Sequence, residues 1–238
     1  MKQVKLFLLV SATLMTVTFA HAQTADEIIQ KHIDAIGGKE KLSQVNSVYM
    51  EATTQMMGND NPVVVSILNG KGYKSETEFN GQKFVRCYTD KSGWTINPFA
   101  GGPTPQAMPD DEYKTVKDDI FIGGSLYNYI ANHAGKAELT GTENGAYKIK
   151  ITSADNIEST YYIDTATYYL TKMVRQGVMQ GQTVDVSASF SNFKKTDAGF
   201  TMAYTTDLDF GGNFSLSTTI NKVEVNKTID PAIFEMPK

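Results

Sequence analysis

The chain has 238 residues, with 22 Lys and Arg against 26 Asp and Glu, a formal charge of −4. Its two arginines are Arg86 and Arg175. There is no basic stripe or cluster, which argues against a nucleic-acid partner and against a polybasic membrane-surface anchor. Cys87 is the single cysteine, which excludes an intrachain disulfide, and a chain this long can bury enough core without one.

Residues 1–22 read as an export signal. Lys2 and Lys5 precede an apolar run from Leu6 to Ala20, and Ala20-His21-Ala22 is a small-x-small pattern for cleavage after Ala22. The run is too short, and too interrupted by Ser and Thr, for a membrane-spanning helix. No cysteine stands at the cleavage point to take a lipid. The expected mature chain, residues 23–238, is one domain of 216 residues. Without Lys2 and Lys5 it has 20 basic against 26 acidic residues, a charge of −6.

The mature chain opens with a helix. Thr24 and Glu27 have the spacing of a capping box, and Ile28, Ile29, Ile33 and Ile36 repeat at helical intervals. Gly37-Gly38 stops it, and a short turn of helix over Lys39 to Leu42 follows. From Val48 the pattern becomes alternation. Strands are predicted at Tyr49–Met57, Val63–Leu68, Tyr73–Phe79, Gln82–Tyr88 and Trp94–Ile96. Asn80-Gly81 is a two-residue hairpin signal because both residues tolerate positive φ. The strand around Cys87 suits a buried thiol.

The segment Asn97 to Asp111 breaks the alternation with Pro98, Pro103, Pro105 and Pro109, and it cannot be a central strand. An acidic stretch, Asp110 to Asp119, is compatible with helix. Ser125 to His133 is predicted as a short helix with Ser125 as N-cap and with Leu126, Tyr129 and Ile130 on one face. This apolar excursion reads as a cover over the sheet. Strands resume at Ala137–Thr142, Ala146–Thr152, Glu158–Ile163, Tyr168–Gln176, Thr183–Phe193, Phe200–Phe210 and Asn213–Val225. Phe234 is a tuck-in residue near the end. Eleven or twelve strands in one sheet must curl or split, and a wide curl leaves either a filled core or a ligand cavity.

Groups for catalysis or metal binding are sparse. The mature histidines are His32 and His133, at no metal-ligand spacing. His32 is expected at a surface or interface, and His133 near the free carbonyls at a helix end. There is no GxSxG elbow, no DxDxDG calcium loop and no GxGxxG or P-loop. Asp207 and Asp209 alternate with apolar residues and are expected to face solvent. Asn226-Lys227-Thr228 matches a glycosylation acceptor, a triplet common by chance. These observations predict a non-enzymatic protein without cofactor or metal. The ten methionines and 11% aromatics suit a large Met-filled core or a cavity tolerant of varied acyl chains, and composition does not choose between them.

The order of elements resembles the LolA-like family of periplasmic lipoprotein carriers and lipid-binding relatives. Asp90-Lys-Ser-Gly-Trp94 with Asn97-Pro98-Phe99 resembles the family's turn and Asn-Pro segment ahead of its lid. Tyr161-Tyr162-Ile163-Asp164 with Thr167, Leu170, Lys172 and Met173 resembles its YxID–T–L–K strand pair. Ile220 to Asn226 with Ile229-Asp230, Phe234 and Pro237 resembles its closing strand and tail. Ala25 to Gly38 is similar to the first helix of Bacteroidota-type members.

The resemblance implies a mainly β fold: a single curled antiparallel sheet forming an incomplete β-barrel, with an N-terminal helix and a short helical lid. It implies a monomeric periplasmic carrier of lipoprotein acyl chains or phospholipid, served by an inner-membrane releasing complex and an outer-membrane acceptor. Transit through water needs such a container, because exposing an acyl chain costs roughly 0.8 kcal/mol per CH₂. Phe121, Ile122, Leu126, Tyr129 and Ile130 are the expected lid contacts. Phe84, Tyr88, Trp94, Ile96, Tyr162, Met173 and Phe190 are the expected cavity lining. In classical carriers an Arg on an early strand latches the lid. That position falls near Gly70-Lys71 here, and Lys71 lacks the planar donor fork. A filled-core module of the same fold, docking envelope proteins, is the alternative.

Overall fold

Thr24 starts the first helix by the expected device. Its hydroxyl accepts from Glu27 N at 3.2 Å, and Glu27 Oε2 accepts from Thr24 N at 2.9 Å. The computed structural model describes residues 23–133, 135–179, 182–212 and 214–237. The expected export signal, residues 1–22, lies outside the described residues. Helix α1 (Ala25–Ala35) buries Ile28, Ile29 and Ile33, and α2 (Lys39–Ser43) buries Leu42. No helix among the described residues is long and apolar enough to cross a membrane.

Among the described residues, thirteen strands make one antiparallel sheet. The first six are β1 (Ser47–Met56), β2 (Asn59–Leu68), β3 (Gly72–Phe79), β4 (Gln82–Thr89), β5 (Gly93–Asn97) and β6 (Gly102–Ala107). Helices α3 (Asp110–Val116) and α4 (Gly124–Asn132) follow, joined by a 3-10 turn over Lys117–Ile120. The remaining strands are β7 (Lys136–Glu143), β8 (Ala146–Thr152), β9 (Glu158–Asp164), β10 (Leu170–Met179), β11 (Gln182–Lys195), β12 (Thr201–Phe210) and β13 (Ser215–Val225). The spatial order runs from β6 down to β1, then β13 down to β7, so paired strands are chain neighbours everywhere except at the β1–β13 seam. Edges β6 and β7 do not meet, and the sheet is not closed into a barrel.

The sheet is nonetheless strongly curled. β1 and β8 stand six positions apart, roughly 29 Å on a flat sheet at about 4.8 Å per strand. Yet Val48 and Met50 of β1 share one core cluster with Ile149 and Ile151 of β8, together with Ile29 and Ile33 of α1 and Leu126 of α4. The helices fill the inside of this curl. Tail residues Ile229, Ile233 and Phe234 cover Val85, Cys87 and Trp94 on the outside. There Phe234 O accepts from Trp94 Nε1 at 2.9 Å and from Cys87 Sγ at 3.4 Å. Burial pushes the Cys87 thiol up to about 12, so it stays protonated.

Local differences from the sequence reading have physical reasons. The Pro-rich segment contributes β6, which holds Pro103 and Pro105. As the outermost strand it can spare the missing N–H donors. Helix α4 starts one residue early, with Gly123 as N-cap at φ 95°. Ser125 is not the cap, because its hydroxyl donates to Asp119 Oδ1 at 3.2 Å. His32, expected at a surface or interface, is buried. Its Nδ1 lies 2.8 Å from Tyr168 O, and a carbonyl only accepts, so Nδ1 carries the proton.

Candidate functional site

Residues 108–133 cross the inside of the curl as a strap. Val116 and Ile120 sink beside Tyr88 and Met108, and Ile122, Leu126 and Tyr127 enter the main core. Leu126 is only 1% exposed. The strap's own side chains therefore occupy the space between the two halves of the sheet.

Polar groups at both ends hold the strap down. On the β10 side, Arg175 Nη1 donates to Thr115 O at 2.6 Å and to Asp119 Oδ2 at 3.1 Å. Burial opposes the guanidinium charge, but Asp119 outweighs it and raises the pKa above its ordinary value. Nearby, Lys117 pairs with Asp155 of the β8–β9 turn. Asn128 Nδ2 donates to Asp118 Oδ1 at 3.0 Å. Burial lifts the Asp118 carboxyl above the usual carboxylate range, although Lys117 pulls it down. Tyr129 Oη donates to Asp26 Oδ1 at 2.6 Å, joining α4 to α1. Burial, with Asp26 beside it, moves the Tyr129 phenol up to about 12.

On the β4 side, Tyr113 Oη donates to Thr89 O at 2.9 Å, and Arg86 Nη2 lies 3.1 Å from Glu112 Oε1. Both arginines of the chain thus reach the same strap from opposite halves of the sheet. Between them, the β2–β3 turn supplies the floor. Asn69 Oδ1 accepts from Ile122 N at 2.9 Å, and Gly70 N donates to Ile120 O at 3.1 Å. Gly70 has φ +69°, and a Cβ there would stand 3.1 Å from the Phe121 ring. Where the resemblance expects a latching arginine, a bare backbone and the Asn69 amide hold the strap, while Lys71 is exposed.

The expected site residues divide by face. Ile122 and Leu126 are buried in the main core, and Phe121, Tyr129 and Ile130 pack against it. Tyr88 is buried beside the strap and stacks on Tyr73 with ring centroids 4.8 Å apart. Met173 packs against the main core from β10. Phe190 shares the helix-covered face by register, two residues from Ala188, which pairs with Met173. Phe84 stands on that face at its margin, opposite Thr77.

Three expected lining residues are misplaced. Trp94 and Ile96 pack on the outer face with Val85, Cys87 and Phe234. Tyr162 pairs across the ladder with Lys172 and neighbours the inward Tyr161, so it also points outward, under Lys148 and Lys172. Sequence reasoning missed Arg175, Asp119, Asn69 and Tyr127 as strap contacts. Strand alternation carried one signal: Arg175 is two residues from Met173 and shares its face. Among the described residues, no group of three or more His, Cys, Asp and Glu is placed to hold a metal ion. Asp207 is exposed on its strand, as expected.

No protein-family model and no curated protein matches the chain. Solved structures do share its fold. A putative outer membrane lipoprotein-sorting protein domain from Vibrio parahaemolyticus is 14% identical with a TM-score of 0.55, covering 88% of this chain and 95% of that one. A LolA superfamily protein from Nitrosomonas europaea is 12% identical with a TM-score of 0.59, over 90% of this chain and 98% of that one. A DUF1329 family protein from Desulfovibrio piger is 13% identical with a TM-score of 0.58 and the same coverage. The LolA-like fold implied by the sequence motifs is the fold observed.

Proposed function

We propose that this protein is a periplasmic, monomeric, non-enzymatic carrier of acyl chains from lipoproteins or phospholipid, and that the strap is its lid. The mature chain from Gln23 would be released by cleavage after Ala22, and the first-helix motif suggests a Bacteroidota-type source. One observation carries the reading. The apolar side chains Val116, Ile120, Ile122, Leu126 and Tyr127 fill the inside of an open, curled sheet, yet the segment bearing them joins no strand ladder. An element held by side-chain packing and a few isolated hydrogen bonds, Gly70 N to Ile120 O among them, can leave as a unit, and its departure exposes an apolar surface suited to an acyl chain. Arg175 is the main latch of the closed state, in place of an early-strand arginine. Transfer from an inner-membrane releasing complex to an outer-membrane acceptor would use this opening.

The filled space beneath the strap favours a second reading, an envelope interaction module that never opens. Native mass spectrometry of the mature protein, with lipid extraction of the same sample, separates the two. A carrier retains phospholipid or acylated peptide, and Arg175→Met exchanges it faster. A clean apo mass, with no uptake by wild type or Arg175→Met, overturns the carrier reading.

A further inference from the structure

Arg86 differs from Arg175 in having room beside it. A groove of about 490 Å³ opens where α3 passes over β3–β6. Its floor includes Ser75, Thr77, Phe84, Arg86, Thr95 and Gln106. The ladder explains why these side chains converge: Ser75 lies opposite Arg86, Thr77 opposite Phe84, Arg86 opposite Thr95, and Thr95 opposite Gln106. One polar spot, a guanidinium among small hydroxyls, is thereby set next to an apolar strip. Phe84 leads to Phe99, with ring centroids 5.2 Å apart, and Phe99 is 70% exposed.

The wall over Arg86 is Glu112 of the lid. The two side chains are 44% and 42% exposed, so their pairing is weak and readily exchanged. A guanidinium presents five N–H donors in a plane, a fork that matches a carboxylate or phosphate in bidentate fashion. Hydroxyls of Ser75 and Thr95 stand beside it as further donors.

We propose that this groove is a head-group site for an anionic acyl amphiphile, whose carboxylate or phosphate oxygens exchange with the Glu112 carboxylate on Arg86. The inference rests on the carrier reading and adds the ligand's charge and its coupling to the lid. Glu112 leaves Arg86 when the ligand's anion arrives, and α3 loses a tie on the β4 side. Ligand entry and loosening of the lid are then one event, begun at the exposed arginine and not at the sealed one.

The test uses the mature protein with three probes: a fluorescent C16 fatty acid, its neutral methyl ester, and inorganic phosphate. Wild type is expected to prefer the acid over the ester by about tenfold, the value of one good charge-assisted pair. Arg86→Gln brings that ratio close to one. Glu112→Gln strengthens binding of the acid severalfold and speeds amide hydrogen exchange across residues 110–116. Both positions are half-exposed, so the variants should fold, which far-ultraviolet circular dichroism checks. Equal binding of acid and ester by wild type overturns the head-group site and leaves the carrier reading standing. Binding of neither amphiphile overturns both. Tight binding of phosphate that the fatty acid does not displace marks a plain anion site and also overturns the proposal.

Discussion

The two arginines that reach the lid stand in different surroundings, and the difference separates a fastening from a contact point. Arg175 is 19% exposed, donates to a backbone carbonyl as well as to Asp119, and lies beside the part-buried pairs Ser125–Asp119 and Asn128–Asp118. Arg86 is more than twice as exposed, with the single partner Glu112 among the described residues, and borders an open groove. Removing one partner of a desolvated pair strands the other's charge, whereas an exposed pair trades its partner for water at little cost. The strap is therefore anchored on the β10 side and lightly held on the β4 side, and the proposed opening would start from β4.

The largest test of that asymmetry is Arg175→Met. It leaves Asp119 without its cationic partner and the Thr115 carbonyl without the guanidinium donor, and should cost about 3 kcal/mol, read from urea unfolding, with faster hydrogen exchange across α3 and α4. Next is pH. His32, packed against Tyr168 in the same half, has its ring pKa lowered by burial from 6.5 to about 4. Unfolding takes up a proton between those values, so this contribution to stability is full above pH 6.5 and is lost as pH falls toward 4. Between pH 7 and pH 5 the loss should be roughly 2 kcal/mol. His32→Gln should flatten that part of the stability profile; an unchanged slope would assign it to other groups.

Smaller effects are expected in the β4 half. A Cβ on Gly72 would stand 2.9 Å from the Phe234 ring, so Gly72→Ala should displace the tail at a cost of about 1–2 kcal/mol, without changing exchange in the lid. Arg86→Met should change stability by less than about 0.5 kcal/mol. If it costs as much as Arg175→Met under the same denaturation, the asymmetry is wrong and the lid is clamped evenly.

Much of the fold was legible because it is written in local spacing. The Thr24–Glu27 cap, the isoleucine stripe of α1, the hairpin at Asn80-Gly81, buried Cys87 and the tuck-in Phe234 each need only a few neighbouring residues to be read. Which face each strand turns inward was less legible. On β4, Tyr88 is buried under the lid while Val85 and Cys87 are buried under the tail. With apolar residues on both faces, alternation no longer distinguishes inside from outside, and that is why the outward facing of Trp94 and Ile96 is not legible in the sequence. Tyr162 misled for a related reason, since its ring lies under two lysines on the outer face of the curled sheet. The latch was illegible for want of proximity: Asp119 and Arg175 are 56 residues apart, and only the curl of the sheet brings them together.

The tail contact of Trp94 has a spectroscopic consequence. It is the chain's only tryptophan, buried on the outer face with its indole N–H bound to Phe234 O. Intrinsic emission excited at the indole band is therefore chiefly a gauge of the C-terminal seal. The lid itself is lit by Tyr113, Tyr127 and Tyr129, so a tyrosine signal that changes while the tryptophan signal holds steady would be the optical signature of opening with the outer wall intact.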